Sequence, residues 1–148
     1  MKLYLISVLA IFGLVASCSN AKELEPDVTT PAPQENILKG ILVTDMNSYG
    51  SDPLGITNVV VEKNLMRVSV KYSGGCKEHE FELMGNKMIS KSIPAQRSIK
   101  LFHRADNDDC REIIEETLVF DISAFAVGTS EVKLRLDGWE TLISYIPI

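Results

Sequence analysis

Residues 65–83 read LMRVSVKYSGGCKEHEFEL, two alternating segments joined by a pair of glycines and a cysteine. In the first segment apolar side chains occupy every second position from Met66 to Tyr72. In the second, the residues from His79 to Leu83 alternate with glutamates. Strict alternation over four to eight residues is typical of a strand with one buried face. The stretch therefore predicts two strands that each turn one face toward a core.

Similar short alternating segments recur on both sides of this stretch. The predicted strands cover residues 36–44, 57–62, 65–72, 78–84, 87–90, 98–105, 113–122, 131–136 and 139–146. Gly85-Asn86 and Asp137-Gly138 are typical of two-residue hairpin turns. A helical turn competes only at residues 111–117. We expect an all-β fold, a single antiparallel β-sandwich that is either immunoglobulin-like or a flattened barrel.

The N-terminus predicts export. Met1 and Lys2 precede a nearly continuous apolar run over residues 3–16, which is shorter than the ~20 residues needed to span a bilayer as a helix. The run fits the central part of a signal peptide. It ends in Val15-Ala16-Ser17-Cys18, which resembles the bacterial lipobox. We expect residues 1–17 to be a lipoprotein signal peptide and Cys18 to carry the lipid.

A polar, proline-containing segment follows the expected lipidation site. Residues 18–35 include Pro26, Pro31 and Pro33 and show no apolar periodicity, so we expect a flexible tether. Residues 36–148 then form the single β-sandwich domain. Because Ser19, rather than an aspartate, follows Cys18, we expect an outer-membrane lipoprotein that faces the periplasm or the cell surface.

The charge of the chain limits its partners. The formal net charge is −5 and the isoelectric point is near 5.0. No basic excess is available for nucleic acid. The expected partners are the membrane, through the lipid anchor, and an envelope protein or glycan.

Three cysteines are present, and two remain once Cys18 is lipidated. In an oxidising compartment an even pair predicts a disulfide, here between Cys76 and Cys110. The alternative is a pair of thiolates bound to a metal ion.

Both remaining cysteines belong to a longer pattern. Residues 74–83 have the form GGCxxHxFxL, and residues 101–110 have the form LxHxxxxxxC. This pattern, within about residues 69–120, resembles small uncharacterised exported lipoproteins of Gram-negative bacteria. The resemblance implies export and a disulfide, and it implies no activity.

The only two histidines, His79 and His103, both fall on the apolar faces of their predicted strands. The first interpretation is structural: two buried neutral rings hydrogen-bond to backbone or to a loop carboxylate such as Asp106 or Asp109. The second is a zinc or copper site formed by both histidines and one of those carboxylates.

A third interpretation replaces the disulfide with a zinc site of Cys76, His79, His103 and Cys110. No set of catalytic residues is apparent. We therefore predict a non-catalytic envelope binding or structural module without a cofactor, and metal binding by the histidines is the alternative function.

Overall fold

The fold was obtained as a computed structural model, which describes residues 35–148. Two sheets pack face to face, with strand orders β1-β7-β4-β3 and β2-β5-β6-β8-β9. The strands are β1 (Ile37–Lys39), β2 (Ile41–Val43), β3 (Gly55–Glu62), β4 (Leu65–Gly74), β5 (Glu80–Asn86), β6 (Ala95–Arg104), β7 (Glu112–Asp121), β8 (Val132–Leu136) and β9 (Ile143–Tyr145). A short 3-10 helix at Ser123–Phe125 separates β7 from β8. The predicted all-β sandwich is confirmed.

The core lies between the sheets and is built from alternate residues of their strands. In β4, Met66, Val68 and Val70 are almost fully buried, while the residues between them are only partly buried. Phe125 of the 3-10 helix and Tyr145 of β9 are completely buried. The alternation in the sequence thus identified the buried face of the central strand.

Gly40 divides the first predicted strand in two. Residues 36–44 were expected to form one strand, but β1 pairs with β7 in one sheet and β2 pairs with β5 in the other. A Cβ at Gly40 would lie 2.7 Å from Cζ of Phe125. The chain crosses between the sheets at this glycine, and a side chain there would clash with the Phe125 ring.

The hairpin predicted at Gly85-Asn86 is wrong. Both residues belong to β5, and residues 87–90 do not form a return strand; β5 pairs instead with β6. A Cβ at Gly85 would lie 2.8 Å from Cε1 of Phe125. The glycine therefore provides room for a core ring. In the sequence, a glycine needed for this reason looks the same as a glycine needed for a turn.

The sheets are mixed. The pairs β1–β7, β2–β5 and β6–β8 are parallel, and the other pairs of neighbouring strands are antiparallel. The expectation of purely antiparallel sheets is corrected in this respect. No helical turn forms at residues 111–117, because β7 begins at Glu112 and contains the rest of this stretch. Within the described residues, no helix is long and apolar enough to span a membrane.

The expected signal peptide, the expected lipidation site Cys18 and nearly all of the expected tether lie outside the described residues. Glu35, the last residue of the expected tether, is described: its carboxylate lies 2.7 Å from the Arg67 guanidinium on β4.

Candidate functional site: a histidine pair beneath the disulfide

The strand register brings the two histidines together. Phe81 of β5 pairs with His103 of β6, and His79 lies just before β5. Nδ1 of His79 and Nε2 of His103 are 2.7 Å apart, a direct hydrogen bond between the rings. His103 is 2% exposed, and so is the side chain of His79. The pair is thus inside the domain, at one end of the sheet.

Asp108 anchors the outer side of His79. Its Oδ2 lies 3.3 Å from His79 Nε2 and accepts hydrogen bonds from the backbone N–H groups of Cys76 and Lys77. Its Oδ1 accepts the N–H of Cys110. One carboxylate therefore joins the two loops that carry the cysteines to the histidine pair.

The predicted disulfide is present between Cys76 and Cys110, whose Cα atoms are 5.9 Å apart. It links the loop between β4 and β5 to the loop between β6 and β7. Because the two sulfur atoms are bonded to each other, the site of four ligands with Cys76 and Cys110 as thiolates is not formed.

Aromatic rings enclose the pair. The Phe81 ring stacks on His103 at an interplanar angle of 5°, and the Tyr72 ring packs against both histidines with centroids 4.7 and 4.9 Å away. On another side, a Cβ at Gly74 would lie 2.5 Å from Cε1 of His79. The end of β4 therefore needs a glycine to admit the imidazole.

The two rings and their outer partners form three polar contacts. Nδ1 of His103 lies 3.3 Å from the carbonyl oxygen of Pro53, while Nε2 of His79 faces Asp108. Both terminal partners only accept, so three contacts need three protons, whereas two neutral imidazoles supply two. With two neutral rings, one of the three contacts therefore lacks a proton.

The surroundings disfavour a charge on His103. Burial, and next the neighbouring His79, lower the pKa of His103. The N–H groups of Cys110 and Cys76 hold the pKa of Asp108 well below its usual range, so this carboxyl stays ionised. A negative group is therefore always available to His79.

The carboxylates predicted to join the histidines are elsewhere. Asp108 occupies that position, whereas Asp106 and Asp109 are exposed loop residues. Among the described residues, the one group of three possible metal ligands within reach of each other is Cys76, Asp108 and Cys110, and it contains neither histidine. The structure thus joins His79 to His103 but provides no three-ligand site that contains them.

Sequence reasoning missed two buried polar contributions. Asp108 sits between two other aspartates in the loop, and only the folded backbone shows which of the three points inward. Arg97 of β6 is only 5% exposed, although arginine is a residue type that is mostly found at the surface. Its position on the same alternating face as Ile99 and Leu101 was the signal that could have identified it.

Comparisons with known proteins place the fold among bacterial β proteins. No protein-family model matches this sequence, and no curated protein sequence matches it. A solved protein of unknown function, DUF1344, from Bacteroides vulgatus is similar with a TM-score of 0.54 and 15% identity, over 76% of this chain and 56% of that one.

A NigD-like immunity protein from Bacteroides caccae is similar with a TM-score of 0.52 and 15% identity, over 73% of this chain and 58% of that one. This chain therefore matches somewhat more than half the length of either structure. The likeness at this identity shows a shared fold.

Proposed function

We propose that this chain is a lipid-anchored envelope lipoprotein of a Gram-negative bacterium, and that its β-sandwich is a non-catalytic binding module. The proposed anchor is Cys18, held in the outer membrane, with the domain facing the periplasm or the cell surface. Two or three acyl chains on that cysteine would hold the protein firmly on a membrane.

The proposal that the module is non-catalytic rests on the hydrogen bond between the two histidines. General acid–base chemistry needs a titrating group that can reach a substrate proton. His79 and His103 instead hydrogen-bond to each other, and their outer nitrogens face Asp108 and a backbone carbonyl. The rings of Tyr72 and Phe81 pack against the pair. This arrangement supports a stabilising role for the pair and leaves the surface of the sandwich for binding.

The disulfide supports the proposed compartment, because such bonds persist in oxidising surroundings. The description of one similar structure as a NigD-like immunity protein agrees with a binding role, by analogy of fold alone.

Lipidation tests the anchor directly. The full chain is produced in a Gram-negative host that is fed a clickable palmitate analogue, beside a Cys18→Ser variant. We expect label and membrane association for the parent chain, and loss of both for the variant. An unlabelled parent chain that fractionates as a soluble protein would contradict the proposal.

Metal binding by His79 and His103 is the second candidate function. One observation favours it: the outer nitrogens of both rings face a carboxylate or a carbonyl, as in histidines that bind metal through the other nitrogen. Zinc and copper(I) titrations of the domain, with His79→Ala as the control, test it. Stoichiometric binding that the control loses would support a metal site, and no binding would reject it.

A further inference from the structure

One side of the sandwich has strand edges that are only half covered. β1 pairs with β7 from Val119 to Asp121, and β2 pairs with β5 from Met84 to Asn86. Residues 112–118 of β7 and 80–83 of β5 have no strand on that side among the described residues, although β4 and β6 pair with them on the other. The uncovered parts of the two edges border one groove.

Where β1 and β2 cover the edges of β7 and β5, the hydrogen bonds show which backbone groups point to this side. Gly40 N–H donates to the carbonyl of Asp121, and Lys87 N–H donates to the carbonyl of Val43, both at 2.8 Å. Because backbone groups alternate along a strand, the odd-numbered residues of β7 and β5 point to this side. Counting only residues 35–148, this edge of β7 is free and presents the N–H and C=O groups of Ile113, Glu115 and Thr117. Such an edge is a template for an added strand.

The groove has an apolar floor and an acidic rim. Tyr72, Phe81 and Leu118 line it, together with several glutamates. The glutamates are Glu78, Glu80, Glu82 and Glu116. Of these, Glu80 pairs with Arg104, and within residues 35–148 the other three form no ion pair.

Lys77, the one lysine that lines the groove, forms no ion pair with the glutamates of the rim. Lys77 Nζ donates to the backbone carbonyls of Asp106 and Asn107, 2.7 and 3.0 Å away. The three glutamates without an ion pair outnumber this lysine, so the rim is net negative, and an approaching positive chain would be attracted to it.

We propose that this groove binds an extended, Lys- or Arg-rich segment of another envelope protein, which adds a strand to the free edge of β7. Main-chain hydrogen bonds to Glu115 and its neighbours give affinity, and alternate basic side chains contact the glutamates. A second copy of this chain does not fit, because its matching edge carries the same negative charges. The inference rests on the proposed binding role and names the partner chemistry for it.

The test uses residues 35–148, the part of the chain that the structure describes, which contains the nine strands given above and the core. The probe is a ten-residue peptide of alternating Lys and Thr. One control replaces Lys with Glu, and a second carries N-methyl groups on alternate amides, which keeps the charge but prevents strand pairing. Affinity is measured by fluorescence anisotropy, and the contact by amide exchange and chemical shifts in NMR spectra.

We expect the Lys-Thr peptide to bind, to weaken as salt rises, and to slow exchange at the amides of Ile113, Glu115 and Thr117. The N-methylated peptide should bind at least tenfold more weakly. Equal binding of the N-methylated peptide, or of the Glu peptide, would overturn the proposal, as would exchange that does not change at these amides.

Matched variants of one residue separate the backbone from the charge. Glu115→Pro removes an N–H on the free side, a position where an edge strand tolerates proline. It should reduce affinity tenfold or more, whereas Glu115→Gln keeps the N–H and should bind within a few-fold of the parent. Equal affinity for both variants would overturn strand addition. If Glu115→Pro does not fold, the N-methylated peptide decides the same question.

The chain's own tether is the remaining competitor. If residues 29–34 already protect the β7 amides in a longer chain that begins at residue 19, the tether is the occupant and the proposal is wrong. Failure of lipidation at Cys18 leaves this peptide result unchanged, so the two proposals can fail separately.

Discussion

Strand β6 holds two buried polar residues, and the domain accommodates them differently. Arg97, near the start of the strand, donates to the backbone carbonyls of Phe125 and Asn86. His103, near its end, is bound through a chain of side chains, first His79 and then Asp108, that a disulfide closes. One end relies on a single long side chain, and the other on several residues acting together.

The two ends of β6 differ in the interactions that keep their buried polar residue in place. An arginine stays charged at every ordinary pH and needs only fixed carbonyls. The histidine pair needs the loops that carry Asp108 and the disulfide to stay in place, and it is disfavoured when His103 takes up a proton. We therefore expect the two ends to respond differently to reduction, to substitution and to pH.

Loss of the disulfide should have the largest effect. The double substitution Cys76→Ser and Cys110→Ser opens a loop between residues 34 apart in sequence, which costs about 4 kcal/mol in the chain-entropy model. Urea unfolding measures this loss, and hydrogen exchange should show that it is concentrated around His103 rather than Arg97. An unchanged urea midpoint would show that the hydrogen bonds of Asp108 suffice without the disulfide.

Replacement of Arg97 should come next. Arg97→Met leaves buried carbonyls without donors, and each such group costs ~1–3 kcal/mol, so we expect a loss of about 3 kcal/mol in urea unfolding. Arg97→Lys retains a donor and should lose less. If the two variants were equally stable, the carbonyl contacts would not be the reason for this arginine.

The packing of His79 should give a smaller loss. Gly74→Ala forces a Cβ into the imidazole, and overpacking of this kind costs about 1–3 kcal/mol. Gly50→Ala is the matched control, because a Cβ there meets no atom within 4 Å, and it should be nearly neutral. Thermal unfolding compares the two. A neutral Gly74→Ala would mean that the ring can move away freely.

The dependence on pH should be the smallest effect. The pKa of His103 is lowered in the folded state, so below the ordinary value near 6.5 the unfolded chain binds more protons. Stability should therefore fall as the pH drops from 7.5 toward 5. His79, Asp52 and Tyr72 surround the ring and are unchanged in His103→Gln, which should flatten this slope. An equally steep slope in that variant would assign the pH dependence to another group.

The sequence predicted the sandwich because alternation reports burial directly, as it does along β4. It also predicted the disulfide and placed both histidines on buried faces. It could not distinguish a turn glycine from a glycine such as Gly85, which makes room for Phe125, because the contact with a residue distant in sequence is visible only in the fold. Nor could it choose Asp108 over Asp106 and Asp109, since that choice depends on which carboxylate the cysteine loops enclose.

The most direct test of the histidine pair is a native mass spectrum of residues 36–148, exported to an oxidising compartment and purified without chelator. If the histidines bind each other beneath a disulfide, the mass will be two hydrogens below that of the reduced chain, with no metal adduct. A zinc or copper adduct that disappears in His79→Ala and His103→Ala would contradict this account and identify the pair as a metal site.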